Sequence, residues 1–193
     1  MDPREFFFRN RSYTPIPLVL VIIYFADKEG SIWLPGVILV MLGEWVRLNG
    51  VRHAGRRTRT RRVGAKKLCT SGPFAHVRNP LYLGNMMIYS GMVLIAGGAI
   101  PWVMLAATLL FFAMQYSLII SLEEETLDKL FGKDYERYKK AVPRWIPRLQ
   151  RWTAGANESS PSPWFNTLKF EKRTLQTIAA FLLVLIIRVY LFS

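Results

Sequence analysis

Long uninterrupted apolar runs constrain this 193-residue chain more than any other feature. Five stand out, at residues 16–26, 32–48, 81–97, 100–122 and 174–192. A soluble domain scatters its apolar residues at helical or strand periods, so runs of this length point to an α-helical membrane protein. The first run is short for a span and Pro15 and Pro17 stand at its start, so it needs help from Phe6, Phe7 and Phe8 or shelter from neighbouring helices. Between the third and fourth runs, Gly97, Gly98 and Pro101 leave room only for a tight break, which makes the pair a hairpin. The expected fold is an all-α integral membrane protein with about five transmembrane helices, a single membrane-embedded domain over 1–193 whose last helix is 174–193.

Charge follows the same segmentation. Of 26 Lys and Arg residues, 3 fall in 1–15, 10 in 47–80 and 11 in 123–173, leaving only Lys28 and Arg188 elsewhere. Five spans with the N-terminus inside put all three basic segments on one side, the cytoplasmic one by the positive-inside rule. That alternation, rather than one continuous basic face, argues for membrane lipid as partner and against nucleic acid. The Arg-dense stretch 52–67 has little apolar periodicity and is expected to meet anionic headgroups or an anionic substrate. Cys69 is the single cysteine, and His53 and His76 are the two histidines, so neither a disulfide nor a metal site is expected. The charged start and the absence of a small-residue cleavage pattern predict that the first run is kept as an anchor. Residues 154–163, rich in Ser, Gly, Pro and Asn, read as a linker.

Two polar constellations flank the hairpin and would return to the same water interface. The first is Arg78-Asn79-Pro80-Leu81-Tyr82-Leu83-Gly84. Pro80 suits the first turn of a helix and biases Asn79 away from helix, so Asn79 reads as a cap, with Arg78 and Tyr82 at headgroup level. Gly84, one turn in, permits close approach of a ligand or a second helix. The second is Glu123-Glu124-Glu125, followed by a helical pattern of Leu127, Leu130, Phe131, Tyr135 and Tyr138 that Gly132 interrupts and Pro143 stops. Three adjacent carboxylates repel one another and call for a cation: the neighbouring arginines, or a bound organic cation in a partly dry site. Glu44 beside Arg47 is the other charge within an apolar run, either functional or paired with that arginine.

Taken together, RNPLYLG and EEETLDKLFGKDYERYKKAVPRWIP resemble the signature elements of the isoprenylcysteine carboxyl methyltransferases and their phospholipid methyltransferase relatives, in the same order. The resemblance covers 66–147, the family's catalytic portion. It implies an integral membrane enzyme that uses S-adenosylmethionine, with the cofactor enclosed by the inner segments and a lipophilic substrate, most readily the C-terminal carboxylate of a prenylated cysteine or prenylated peptide, arriving from the lipid. Position by position it implies cofactor contacts from Lys66, Lys67, Leu68, Cys69, Phe74, Asn79, Pro80, Leu81, Tyr82, Glu123 and Glu124. Ile119 falls where the eukaryotic enzymes have an arginine that meets the substrate carboxylate, which puts prenylcysteine specificity in question.

Methyl transfer from a sulfonium is an in-line displacement, so alignment and exclusion of water do most of the work. A carboxylate acceptor needs no general base, whereas an amine must first lose a proton. Arg78, Arg144 and Glu44 are the candidates for positioning the substrate. Three alternatives stay open: the same reaction on a phospholipid amine, a nicotinamide-dependent sterol-type reductase, and a non-enzymatic polybasic membrane adaptor.

Overall fold

The computed structural model describes residues 2–55, 64, 65, 67–154 and 161–191, and the regular elements among these are helices. In chain order the helices are α1 (Pro3–Asn10), α2 (Ile16–Tyr24), α3 (Trp33–Ala54), α4 (Pro80–Ala96), α5 (Pro101–Phe131), α6 (Lys133–Ala141) and α7 (Trp164–Leu191), with a 3₁₀ turn at Gly72–Ala75 before α4. Three of them, α3, α5 and α7, are long and apolar enough to cross a membrane. At 1.5 Å per residue α4 reaches only about 25 Å and α2 about 13 Å, so the run at 16–26 contributes a half-length helix that buries Ile22 but leaves Leu20 and Tyr24 exposed. A belt of large apolar side chains faces outward, including Met41 at 67% and Leu110 at 70% exposure. Water would penalise such a belt and lipid would not, so the protein is membrane-associated.

Glycine builds the centre of the fold. Gly36 and Gly43 on α3 meet Gly91 and Gly84 on the antiparallel α4, two helical turns apart on each helix. A Cβ on Gly84 would lie 2.7 Å from the Gly43 carbonyl oxygen, and one on Gly91 would lie 2.5 Å from that of Gly36. Backbone contact of this kind drives helix association where no hydrophobic force exists between helices and lipid. The close approach foreseen at Gly84 is therefore that of a second helix. At the far end of α4, Gly97 and Gly98 take positive φ values of 65° and 87°. The turn they make ties back to the 27–32 loop through Asp27 N–H to Ala96 O (2.9 Å), Ile32 N–H to Leu94 O (2.8 Å) and Gly98 N–H to Glu29 O (2.7 Å).

α5 is a single helix of 31 residues, about 46 Å long and some 16 Å more than a bilayer's hydrocarbon core. The excess carries Glu123 to Phe131 out of the apolar layer. Gly132, at φ 48°, ends it and starts α6, as the sequence predicts. α1 lies along this helix: Phe8 is buried with Phe112, Tyr116, Ile119 and Ile120, and Arg4 pairs with Glu125 at 3.0 Å. A second core cluster joins α2, α3, α4 and α7 through Ile22, Val40, Ile88, Met92, Phe181 and Leu185.

Two sequence expectations need correction. α7 begins at Trp164, ten residues before the expected 174. Pro163 supplies its first carbonyl acceptor, the Trp164 ring stacks on Trp45 of α3 at 5.9 Å, and Arg52 Nε donates to Ser162 O at 3.0 Å. Residues 164–173 thus form the first turns of α7 ahead of its apolar run. Likewise α3 runs on through Arg52 and His53, so the basic stretch starts as helix. The rest of that stretch, residues 56–63 and Lys66, and the linker residues 155–160, lie outside the described residues.

Candidate functional site

Backbone hydrogen bonds stitch the two motifs together. Arg78 N–H donates to Pro143 O (2.9 Å), Arg148 N–H to His76 O (2.9 Å) and Trp152 N–H to Ala75 O (3.1 Å). Side chains complete the seam: Tyr138 Oη donates to Phe74 O (2.7 Å), Arg78 Nη1 to Lys139 O (2.7 Å) and Arg148 Nη1 to Ala141 O (2.9 Å). Asn79 stands at the N-cap of α4 without capping it; its Nδ2 donates instead to Arg144 O at 3.2 Å. That departs from the expected cap, because the amide serves better as a tie between the motifs than on a helix start that Pro80 already tolerates. Burial beside Leu68 and Val142 holds the phenols of Tyr135 and Tyr138 well above the ordinary tyrosine range, so Tyr138 remains a donor at any working pH. Replacing it by phenylalanine orphans the Phe74 carbonyl and is expected to cost about 1–2 kcal/mol. A thermal melt in detergent should show this as a fall of about 2–8 °C.

The three glutamates diverge, as 100° per residue requires. Glu123 faces inward and accepts from Tyr82 Oη at 3.0 Å. Glu124, 7% exposed, is held by two arginines: Arg78 Nη2 lies 3.1 Å from Oε1, and Arg144 closes on both oxygens through Nε and Nη2. Glu125 turns outward to Arg4 and to Lys129, the latter at 2.6 Å. The cluster's charge is thus matched mostly by arginine, with Glu123 left facing an aromatic wall in which Tyr82 and Tyr116 stack at 4.5 Å.

Arg78, Tyr82, Tyr116, Glu123 and Glu124 line one cavity of about 1800 Å³, larger than the few hundred to 1,000 Å³ usual for one small ligand. Lys67, Leu68, Cys69, Phe74, Asn79, Pro80, Leu81, Tyr82, Glu123 and Glu124 all contribute to its wall, and so does Arg78. Arg144 braces Glu124 from behind, and Glu44 lies 3.6 Å from Arg47 Nε on α3, so neither belongs to that wall. Ile119 is fully buried in the aromatic cluster between α1 and α5. The wall also holds Asn85, Tyr116 and Glu171, which the sequence reading left out, and Arg47, which it marked only as a partner for Glu44. Arg47 and Glu171, charges within or beside apolar helix, carried the available signal. Asn85 and Tyr116 gave none.

A helical bundle with three helices long and apolar enough to cross a membrane, and a large cavity lined by polar and apolar side chains, defines a membrane-associated protein with room for a ligand. Residues 32–134 match the family model described as phospholipid methyltransferase, and the chain belongs to that family. Among curated relatives, a protein-S-isoprenylcysteine O-methyltransferase of Schizosaccharomyces pombe is 31% identical over 112 residues, covering 56% of this chain and 46% of its own length. Protein-S-isoprenylcysteine O-methyltransferase B of Arabidopsis thaliana is 29% identical over 133 residues, covering 65% of this chain and 66% of its own. The nickel-cobalt-cadmium resistance protein NccN of Alcaligenes xylosoxydans xylosoxydans is 33% identical over 84 residues, covering 43% and 37%. In each case the match spans less than two thirds of the relative. No solved structure matches the chain.

Proposed function

We propose that this protein is a multi-pass membrane methyltransferase that moves a methyl group from S-adenosylmethionine to the carboxylate of a lipophilic acceptor such as a prenylated cysteine, on the cytoplasmic face. The observation that carries the reading is the convergence of two motifs, some forty residues apart, on one cavity. Two relatives are named for isoprenylcysteine O-methylation, which agrees with it. The catalytic portion is 66–147.

The cavity suits the donor. Glu123 beside the stacked rings of Tyr82 and Tyr116 offers a carboxylate and aromatic faces to a cation, which is how a sulfonium and an ammonium are held. Leu68, Cys69 and Phe74 supply an apolar and backbone-lined wall for an adenosine group. When bound, S-adenosylmethionine supplies an electrophilic methyl group. The chain's own residues bind and orient both partners and exclude water, and a carboxylate acceptor asks for no proton transfer. The wall carries seven Lys or Arg side chains against three Glu among the described residues, a balance that attracts an anionic acceptor more than an amine.

Calorimetric titration of S-adenosylmethionine into detergent-purified protein tests this. Micromolar binding is expected, weakened by about tenfold in Glu123→Gln, the factor for roughly 1.4 kcal/mol of lost pairing. Well-folded protein that binds none, even with a lipophilic carboxylate present, overturns the reading.

A further inference from the structure

Arg47 draws groups from three helices to one point deep in the bundle. It is 9% exposed on α3; its Nη2 donates to Glu171 of α7 at 2.8 Å, its Nη1 donates to Asn85 of α4, and Glu44 lies one turn back. Glu171 is 1% exposed. Ionised groups at such depth are costly unless paired, so they mark either a structural lock or a site. Three observations favour a site. First, Arg47, Asn85 and Glu171 all line the cavity that holds the donor motif. A guanidinium carries five N–H donors, and these two hydrogen bonds leave terminal ones for a further acceptor. Second, Asn85 Nδ2 donates to Tyr116 Oη at 2.9 Å, and Tyr116 stacks on the Tyr82 that donates to Glu123, so the arginine is connected to the donor end. Third, the wall turns apolar just beyond it, with Ile88 and Met92 of α4 facing Ile178 and Phe181 of α7. Along α4 the order is therefore donor wall at Tyr82, polar station at Asn85 and apolar seam from Ile88 to Met92. From Tyr82 to Met92 the helix rises about 15 Å.

We infer that Arg47 receives the anionic head of the acceptor, that the α4–α7 seam takes its apolar tail, and that Glu171 is a positioning residue holding the guanidinium at the mouth of that seam. The inference rests on the methyltransferase reading and deepens it. Arg47, Asn85, Ile88 and Met92 lie within the residues matched to the family, 32–134, whereas Glu171, Ile178 and Phe181 of α7 lie beyond them. In the reaction a carboxylate oxygen forms the new O–C bond as the C–S bond breaks, and the electron pair goes to sulfur, which becomes a neutral thioether. No proton moves. The ester is uncharged, so its attraction to Arg47 falls as it forms, and product is held less tightly than substrate.

The test uses the purified full chain with S-adenosylmethionine and N-acetyl-S-farnesylcysteine as acceptor. Arg47→Gln is expected to raise the acceptor KM by about tenfold or more while leaving kcat and the calorimetric affinity for S-adenosylmethionine within about twofold. Arg47→Lys should restore part of the KM. Glu171→Gln should raise KM in the same direction, and Glu171→Asp should rescue it. An unchanged KM in folded Arg47→Gln overturns the inference with the methyltransferase reading intact, whereas a wild-type protein that binds no S-adenosylmethionine removes the reading itself. Should the variants fail to fold, a farnesylcysteine carrying a photoreactive diazirine in its tail is irradiated with the wild-type protein. Adducts at Ile88, Met92, Ile178 or Phe181 support the seam; adducts confined to outward residues such as Met41 and Leu110 overturn it.

Discussion

Replacing Gly84 with valine is expected to lower the melting midpoint of the detergent-purified protein by about 6–12 °C and to cut the yield of folded material. The bare Cβ would already sit 2.6 Å from Arg47 Cγ and 2.7 Å from the Gly43 carbonyl. The backbone oxygen cannot rotate away, so α3 and α4 must part. Overpacking a tight core costs about 1–3 kcal/mol, and a clash with backbone belongs at the upper end. At about 2–4 °C per kcal/mol for a chain of this size, the stated shift follows. Separation of the helices would also displace Arg47, so acceptor handling should fail along with stability. Met41→Leu on the lipid face is the control and should melt like the parent. A Gly84→Val protein within about 2 °C of the parent would refute the backbone-contact account of this hairpin.

Glu124→Gln should cost about 3 kcal/mol, far more than Glu123→Gln. Removing one partner of a buried ion pair leaves the other charge uncompensated, typically at 3–5 kcal/mol. Here two arginines are left, Arg78 largely buried and Arg144 over a third exposed, and solvent screening of Arg144 keeps the effect near the lower bound. The loosened arginines also make the chamber more positive, so binding of a cationic donor should weaken. Glu123 has a neutral partner in Tyr82, and the glutamine amide can still accept that hydrogen bond, so its stability cost should stay near 1 kcal/mol. Thermal melts of both variants decide the matter. If Glu123→Gln melts lower than Glu124→Gln, the division between a structural and a ligand-facing carboxylate is wrong.

That division could not be read from three adjacent, chemically identical residues. Only the helix phase separates them, and the partners that give the phase meaning come from α1, from residues 78–82 and from residue 144. Other features were legible because they are local. Apolar runs located α3, α4 and the membrane part of α5, and Gly132 and Pro143 bounded α6 because a positive φ and a missing N–H act on their own segment. The joining of the two motifs was also legible, since a hairpin returns the chain to its starting side. The Arg47–Glu171 pair was not, for its members are 124 positions apart. The glycines at 36, 43, 84 and 91 show their spacing openly, but matching them needs the register of the hairpin. The start of α7 was hidden because polar residues interrupt the apolar run while continuing the helix.

The glycine contacts have a mechanical consequence. Two helices joined backbone to backbone at two levels, and knotted at the far end by the Ala96–Asp27 and Leu94–Ile32 hydrogen bonds, flex as one thick post. α7 is fastened differently, pinned near its start by the Trp45–Trp164 stack and by Arg52 to Ser162, with apolar packing further along. A bulky guest wedged between post and α7 therefore meets backbone-locked glycine contacts on one side and only side-chain packing, around Phe181 and Leu185, on the other.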